Sequence, residues 1–182
     1  SGKLVSNAGD VNGDGFDDVI VGAPRVKLNG GSSGVSYVVF GKASAFDASM
    51  NLVDLDGRDG FRLGGVYTYA AVSSAGDLNG DGFDDVIIGA PDGGYVVFGK
   101  ASGFDATMNL SDIDGNDGFR LEGADPHFGS HGAVISDAGD INGDGFDDVI
   151  VGSPSAGPRY SSEYNYYSYG YGAGYVVFGK AS

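Results

Sequence analysis

The stretch GDVNGDGFDDVIVGAP, residues 9–24, returns almost unchanged as GDLNGDGFDDVIIGAP at residues 76–91 and as GDINGDGFDDVIVGSP at residues 139–154. Each copy sets Asp, Asn and Gly at fixed positions and then runs into an apolar segment. A second phrase, YVVFGKAS, begins at residues 37, 95 and 175, and a third, DGFRL, begins at residues 59 and 117. Because the phrases keep the same order along the chain, the sequence is an array of structural repeats.

The apolar segments of each unit are short, rich in Val, Ile, Phe and Tyr, and bounded by Gly, Pro, Asp or Asn, which is typical of β-strands. Four such strands per unit predict a small antiparallel sheet, and repeated sheets of this kind are the blades of an all-β propeller. We expect strands near residues 3–6, 18–22, 36–41 and 59–63 in blade one, near 70–74, 85–89, 94–99 and 117–121 in blade two, and near 133–137, 148–152 and 173–179 in blade three.

The predicted blades span residues 1–63, 64–121 and 122–182, and the third blade lacks its fourth strand. Propellers close with about four to eight blades. Two interpretations stay open: the chain is a segment of a larger propeller, or several chains assemble to complete one another.

Composition excludes several classes of function. A formal charge of −15 argues against nucleic acid as a partner, since phosphates call for a basic surface. The sequence has no apolar run near the ~20 residues of a membrane-spanning helix, so membrane insertion is not expected. No signal peptide is visible at the N-terminus, so a signal was removed or lies upstream. The absence of cysteine excludes disulfides and thiolate metal sites.

Residues 10–18, 77–85 and 140–148, here called the Asp loops, carry oxygen-bearing side chains at positions 1, 3, 5 and 9. A Gly at position 6 permits a sharp turn, and position 7 offers its carbonyl. Short, closely spaced carboxylates suit Ca²⁺, which takes about six to eight oxygen ligands, and the EF-hand loop uses similar early positions. We expect about three Ca²⁺ ions, one per loop, with these ligands: Asp10, Asn12, Asp14, Phe16, Asp18, Asp77, Asn79, Asp81, Phe83, Asp85, Asp140, Asn142, Asp144, Phe146 and Asp148.

Position 8 of the loops, held by Asp17, Asp84 and Asp147, is expected to be a solvated side chain at the start of a strand, with an outer-shell partner of the ion as the alternative. The segments DLDGRDGF, residues 54–61, and DIDGNDGF, residues 112–119, are expected to be β-turns, with accessory cation binding as the alternative.

No group of residues at recognisable spacing supplies a nucleophile, a base and a charge-stabilising partner, so an enzyme is not expected. His127 and His131 are interpreted as loop histidines without a catalytic role.

An insertion at residues 156–174 concentrates tyrosine in the third unit. Tyr with Ser, Gly and Asn is the composition of adaptable recognition loops, and Tyr also stacks on sugar rings. Ligand or partner contact, including glycans, is one interpretation, and a flexible loop is the other. The candidate contact residues are Tyr160, Tyr164, Tyr166, Tyr167, Tyr169 and Tyr171.

With these motifs in place, the sequence resembles FG-GAP repeats, the repeat of integrin α-subunit propellers and of many bacterial surface proteins. Gly22-Ala23-Pro24 and Gly89-Ala90-Pro91 match the second half of the motif, and Gly152-Ser153-Pro154 departs from it by one residue. Phe128-Gly129 matches the first half before the third loop, whereas GVYTYAA replaces it before the second.

The resemblance implies a propeller whose loops between the first and second strands bind Ca²⁺, and the phrases YVVFGKASAFDASMNL and DGFRLGG resemble bacterial versions found in exported adhesins and haemolysin-like proteins. The expected function is therefore a calcium-binding module of an extracellular bacterial protein, serving adhesion or structural self-assembly. Its partners would be other protein chains, including copies of itself. The alternatives are a carbohydrate-binding module that uses the Tyr-rich loop and a non-catalytic part of a larger exported enzyme or toxin.

Overall fold

The computed structural model describes residues 3–27, 33–66, 71–90, 93–122, 134–153 and 172–181. Within these ranges the chain forms β-strands and two single-turn 3₁₀ helices, Leu52–Asp54 and Leu110–Asp112. The strands are β1 Leu4–Gly9, β2 Asp18–Lys27, β3 Ser33–Val39, β4 Gly60–Gly64, β5 Val72–Gly76, β6 Asp85–Ala90, β7 Gly93–Val97, β8 Thr107–Asn109, β9 Gly118–Glu122, β10 Val134–Gly139, β11 Asp148–Ser153 and β12 Ala173–Val177.

The strands form three sheets, one for each repeat. The first has the order β1-β2-β3-β4-β8, the second β5-β6-β7-β9 and the third β10-β11-β12. Neighbouring strands are antiparallel throughout, apart from the pairing of β4 with β8. In each sheet the first strand shifts its register by one residue just before the Asp loop, between Asn7 and Gly9, between Ser74 and Gly76, and between Asp137 and Gly139.

The prediction of an all-β architecture of propeller blades is confirmed. Each expected strand is present, and the third sheet has three strands within the described part of the chain. One strand was not predicted. Thr107–Asn109 pairs in parallel with β4, so a piece of the second repeat adds a fifth strand to the first sheet.

The sheets pack face to face, and their inner residues form two buried clusters. Between the first and second sheets, Ile20, Val38 and Phe61 belong to one cluster with Val86 and Ile88. A second cluster joins the second sheet to the third through residues such as Ile87, Val96 and Val149. Successive residues of a strand point to opposite faces, so Val86 and Ile88 bury toward the first sheet while Ile87 buries toward the third. The middle sheet is therefore buried on both faces.

Several predicted features lie outside the described residues. These are the candidate contact tyrosines at residues 160, 164, 166, 167, 169 and 171, the two histidines at 127 and 131, and the Phe-Gly pair at residues 128–129. The interpretations attached to them stay predictions.

Candidate metal loops and blade contacts

Each Asp loop connects the first two strands of its sheet through a tight turn that depends on two glycines. In the first loop, Gly13 and Gly15 have φ values of 72° and 87°, in the left-handed region that residues with a side chain rarely adopt. The corresponding glycines of the second and third loops have φ values between 76° and 94°. The turn that the sequence predicted at position 6 is therefore present in every copy.

The side chains of positions 1, 3 and 5 fold inward onto the backbone of their own loop. Asp10 accepts hydrogen bonds from the amides of Asp14 and Gly15, at 3.0 and 2.9 Å. The Asn12 Oδ1 atom accepts from the Asp14 amide at 2.9 Å, and the Asp14 Oδ1 atom accepts from the Phe16 amide at 3.0 Å. These bonds hold the oxygen atoms of the three side chains around one small loop.

The second and third loops repeat this network almost atom for atom. Asp77 accepts from the amides of Asp81 and Gly82, at 3.0 and 2.9 Å. Asp140 accepts from Asp144 and Gly145, at 3.1 and 2.9 Å. The Gly145 amide, as the largest influence, lowers the pKa of the Asp140 carboxyl. The three loops therefore share one side-chain geometry as well as one sequence pattern.

The Asp at position 9 lies at the base of the loop and is buried. The two oxygens of Asp18 accept from the Val11 amide at 3.0 Å and from the Gly41 amide at 2.8 Å, so this side chain joins the loop to the residues that follow β3. Asp85 and Asp148 make the equivalent pairs of bonds. Burial raises the pKa of Asp18 to about 6 and that of Asp85 to about 7, because desolvation disfavours the charged form.

The side-chain positions in the Asp loops can be compared with the predicted set of calcium ligands. In the described part of the chain, no three His, Cys, Asp or Glu side chains come together in an arrangement that could hold an ion. The position-9 side chain is turned toward backbone amides, while positions 1, 3 and 5 stay close together. Carboxylate and amide oxygens keep a lone pair after accepting one N–H, so the donor chemistry of the loop still suits a hard cation. The ligand set stays a prediction.

The prediction for position 8 was wrong for two of the three loops. Asp84 is not a solvated side chain: its Oδ2 atom accepts the Asp10 amide of the preceding loop at 2.7 Å. Asp147 does the same to the Asp77 amide at 3.0 Å. Burial, as the largest influence, raises the pKa of Asp84. We call this contact the inter-blade clasp, because one blade holds the loop of the blade before it.

The Phe at position 7 and backbone hydrogen bonds between neighbouring blades add further contacts to the clasp. A Cβ atom on Gly13 would collide with the Phe83 ring, and one on Gly80 would collide with the Phe146 ring, so these glycines leave space for the next blade. The Lys100 amide donates to the Val11 carbonyl at 2.9 Å, and the Lys180 amide donates to the Leu78 carbonyl at 2.9 Å. Sequence reasoning missed this role, although the unvarying Phe-Asp-Asp at the end of each loop was a signal that position 8 carries a repeated function.

Among the described residues, clasps form at the two junctions between neighbouring sheets. The corresponding residues on the outer sides of the first and third sheets make no such contact within the described part of the chain. Asp17 is exposed and Phe16 is 41% exposed, since no described blade packs against that side of the first sheet. At the other end, a Cβ atom on Gly139 or Gly143 would have no neighbour within 4 Å. The first sheet thus presents the holding half of a clasp, and the third presents the half that is held.

The two accessory segments form bends at residues 57–59 and 115–117, where the sequence predicted β-turns. The Asp56 Oδ1 atom accepts the Arg58 amide at 3.0 Å, and the Asp114 Oδ1 atom accepts the Asn116 amide at 3.0 Å. Each turn leads directly into the last antiparallel strand of its sheet, β4 or β9.

Comparison with known proteins matches three parts of the chain, residues 5–39, 69–104 and 133–178, to the family model of the FG-GAP repeat. The chain belongs to the FG-GAP repeat family. Each match contains an Asp loop with its flanking strands, so the family signature covers the clasps described above.

The FG-GAP chain is also similar to integrin α subunits. It is 31% identical over 158 residues to Integrin alpha-PS5 of Drosophila melanogaster, covering 82% of this chain and 14% of that protein. It is 33% identical over 155 residues to Integrin alpha-4 of Xenopus laevis, covering 82% of this chain and 13% of that protein. The chain therefore spans a small part of these relatives. Its resemblance to the integrin α repeat is confirmed, whereas the bacterial version stays a prediction.

The inter-blade clasp predicts different effects for two equivalent residues. Asp84→Ala should lower the free energy of unfolding by about 1–3 kcal/mol, because it leaves the Asp10 amide without its carboxylate partner. Asp17→Ala is the matched control, since Asp17 holds the same loop position but is exposed, and its cost should stay within about 0.5 kcal/mol. Denaturant unfolding measures both. Equal losses in the two variants would contradict the clasp.

Proposed function

We propose that this chain is a calcium-binding propeller module of an extracellular protein and that it serves adhesion or structural self-assembly. One observation carries the proposal: three Asp loops hold their position-1, position-3 and position-5 oxygens in the same arrangement, each at a junction of strands. Such a closely repeated arrangement of oxygen atoms is expected if each loop binds the same kind of ion.

Calcium is the cation that fits this chemistry best. Ca²⁺ prefers hard oxygen ligands and tolerates irregular geometry, whereas Mg²⁺ demands a near-ideal octahedron and keeps its waters. In the first loop, Asp10, Asn12 and Asp14 would supply side-chain oxygens and Phe16 its carbonyl. Asp18 would join them if one of its oxygens turned from a backbone amide toward the ion. If three ions bind, six positive charges change the formal charge from −15 to −9.

A cation in these loops would stiffen the stack of blades, because the same loops carry the inter-blade clasps. The Asp10 backbone amide is held by Asp84 of the next blade, while the Asp10 side chain belongs to the candidate ion site. Ordering the side chain therefore also orders the amide that the clasp uses. Because like charges a few ångströms apart repel one another, the loops are expected to be weak points of the metal-free protein.

The relatives support adhesion rather than catalysis. They are named as integrins, and we infer by family that this module acts as a non-enzymatic part of a protein exposed outside the cell. Among the described residues, no helix is both long and apolar enough to cross a membrane. Bacterial origin, glycan binding through the Tyr-rich loop and membership of a larger exported enzyme or toxin remain predictions.

Self-assembly is supported by the exposed faces at the two ends of the stack. On the first sheet Val5 is 66% exposed and Val19 is 41% exposed, although Val72 and Val86, at the same positions of the second repeat, are buried. On the third sheet Ile141, Ile150 and Val176 are 43–55% exposed, although Leu78, Ile87 and Val96 of the second repeat are buried. Each end face therefore suits packing against a further blade, which in the self-assembly that we propose belongs to another copy.

Calcium binding is tested by titration calorimetry on the wild-type chain and on Asp81→Asn. The substitution keeps an oxygen that can accept the hydrogen bond from the Phe83 amide, which is 3.0 Å long in the wild-type chain. It removes the negative charge of the side chain. The wild-type chain should bind about three Ca²⁺ ions and the variant about two, and the calcium-dependent rise in melting temperature should shrink with the lost site. The exposed Asp47→Ala variant is the control and should bind like wild type. Unchanged stoichiometry in Asp81→Asn would contradict the assignment.

Self-assembly is tested by the particle mass from light scattering at increasing protein concentration with millimolar calcium. The proposal expects a multiple of 18.5 kDa that falls toward 18.5 kDa in Ile150→Lys, because a charge on the last face opposes burial. Arg58→Ala is the control, since the Arg58 side chain is 89% exposed and belongs to the connection between β3 and β4 of the first sheet, not to the last face. A mass of 18.5 kDa at every concentration would contradict self-assembly while leaving the calcium result unaffected.

A further inference from the structure

Two of the Asp loops place an Asn-Gly pair beside a carboxylate and a backbone hydrogen-bond donor. The pairs are Asn79-Gly80 in the second loop and Asn142-Gly143 in the third. The nitrogen of a glycine is the least hindered nucleophile that the backbone offers, because glycine has no side chain. Its target in such a pair is Cγ, the side-chain carbonyl carbon of the preceding asparagine, since a bond between the two atoms closes a five-membered ring.

The Asp at position 1 of each loop contacts the glycine nitrogen. The Gly80 amide donates to the Asp77 Oδ1 atom at 2.8 Å, and the Gly143 amide donates to the Asp140 Oδ1 atom at 2.6 Å. A carboxylate oxygen at this distance can take the proton of the nitrogen as the nitrogen attacks, which is the role of a general base. Each of these loops therefore holds a base on the atom that would react.

The side-chain amide of each asparagine is also held by hydrogen bonds. The Asn79 Oδ1 atom accepts the Asp81 amide at 2.9 Å, and the Asn142 Oδ1 atom accepts the Asp144 amide at 2.8 Å. Negative charge develops on this oxygen when a nitrogen adds to Cγ, and a fixed N–H donor stabilises that charge. The Nδ2 atoms donate to the carboxylates of Asp81 and Asp144, at 3.0 and 2.9 Å, so the orientation of the amide is fixed.

The fold requires glycine at this position of the loop. Gly80 and Gly143 have φ values of 76° and 78°, which residues with a side chain rarely adopt. A Cβ atom on Gly80 would also collide with the Phe146 ring of the next blade. The turn and the inter-blade clasp therefore depend on the same glycine that makes the Asn-Gly pair reactive.

We propose that Asn79 and Asn142 are sites of self-modification, at which the side chain loses ammonia and becomes aspartate or isoaspartate. The glycine nitrogen gives its proton to the carboxylate at position 1 and bonds to Cγ. The bond from Cγ to Nδ2 breaks, and the proton returns through solvent to the departing amine, which leaves a cyclic succinimide. Water then opens the ring. Cleavage between the glycine nitrogen and Cγ gives aspartate, whereas cleavage between that nitrogen and the main-chain carbonyl carbon gives isoaspartate.

The two products affect the loop in different ways. Aspartate keeps the side-chain oxygens and adds a negative charge to the loop. Isoaspartate inserts a methylene carbon into the main chain before the glycine, so Gly80 can no longer keep its place against Phe146 and the clasp opens. The modification goes beyond the proposed calcium function and does not depend on it, because every step uses groups of the metal-free loop.

The test is incubation of the 182-residue chain at neutral pH with a chelator, followed by peptide mass spectrometry that locates aspartate and isoaspartate. A synthetic peptide with the sequence of residues 139–148, GDINGDGFDD, is the matched control, because it carries the same Asn-Gly pair without the fold. Conversion at position 142 should be at least about threefold faster in the chain than in the peptide, since the chain holds the base and the donor in place.

The role of the base is tested in the variant Asp140→Asn. Its side chain keeps an oxygen that can accept the Gly143 amide but cannot take the proton. Conversion at position 142 should slow at least about tenfold, while position 79 of the same molecule, with its own base, should react as before. The proposal is overturned if neither position is converted, if the peptide reacts as fast as the chain, or if Asp140→Asn does not slow position 142 more than position 79.

Discussion

The hydrogen bond from the Asp10 amide to the Asp84 carboxylate, repeated between Asp77 and Asp147, is the contact on which the order of the blades depends. Sheets that pack through apolar faces alone can slide, because hydrophobic attraction has no direction. A carboxylate aimed at one backbone amide fixes the register of one blade against the next. The glycines that leave space for the Phe83 and Phe146 rings add a steric requirement, because a side chain at either glycine would collide with the ring of the next blade.

Each Asp loop therefore carries two kinds of contact in nine residues. Its first half gathers side-chain oxygens around the loop backbone, and its last residues hold the neighbouring loop and the base of their own sheet. The loops are rich in Asp because carboxylates accept hydrogen bonds both within the first half of each loop and in the contacts that its last residues make. This double use of each loop also explains why the calcium that we propose would influence the whole stack: the side chain and the amide of Asp10 face different partners but belong to one residue.

The repeats, strands and tight turns could be predicted because they depend on local chemistry that recurs three times. Gly13 and Gly15, for example, mark the turn wherever it occurs. The role of Asp84 could not be read in the same way, since its partner lies 74 residues earlier in the chain. The parallel strand β8 was hidden for a related reason, because Thr107–Asn109 is too short to be recognised and its partner belongs to the preceding repeat. For Asp18, spacing suggested an ion ligand, whereas the structure shows its oxygens on two backbone amides.

The most direct test of the clasp is amide hydrogen exchange, resolved by residue, for the first residue of each Asp loop. The Asp10 and Asp77 amides donate to carboxylates of the next blade, whereas the Asp140 amide lies on the exposed end face. Our account predicts that Asp10 and Asp77 exchange much more slowly than Asp140, because their exchange requires the blades to separate. Equal exchange rates at the three positions would show that the clasps do not hold the blades together in solution.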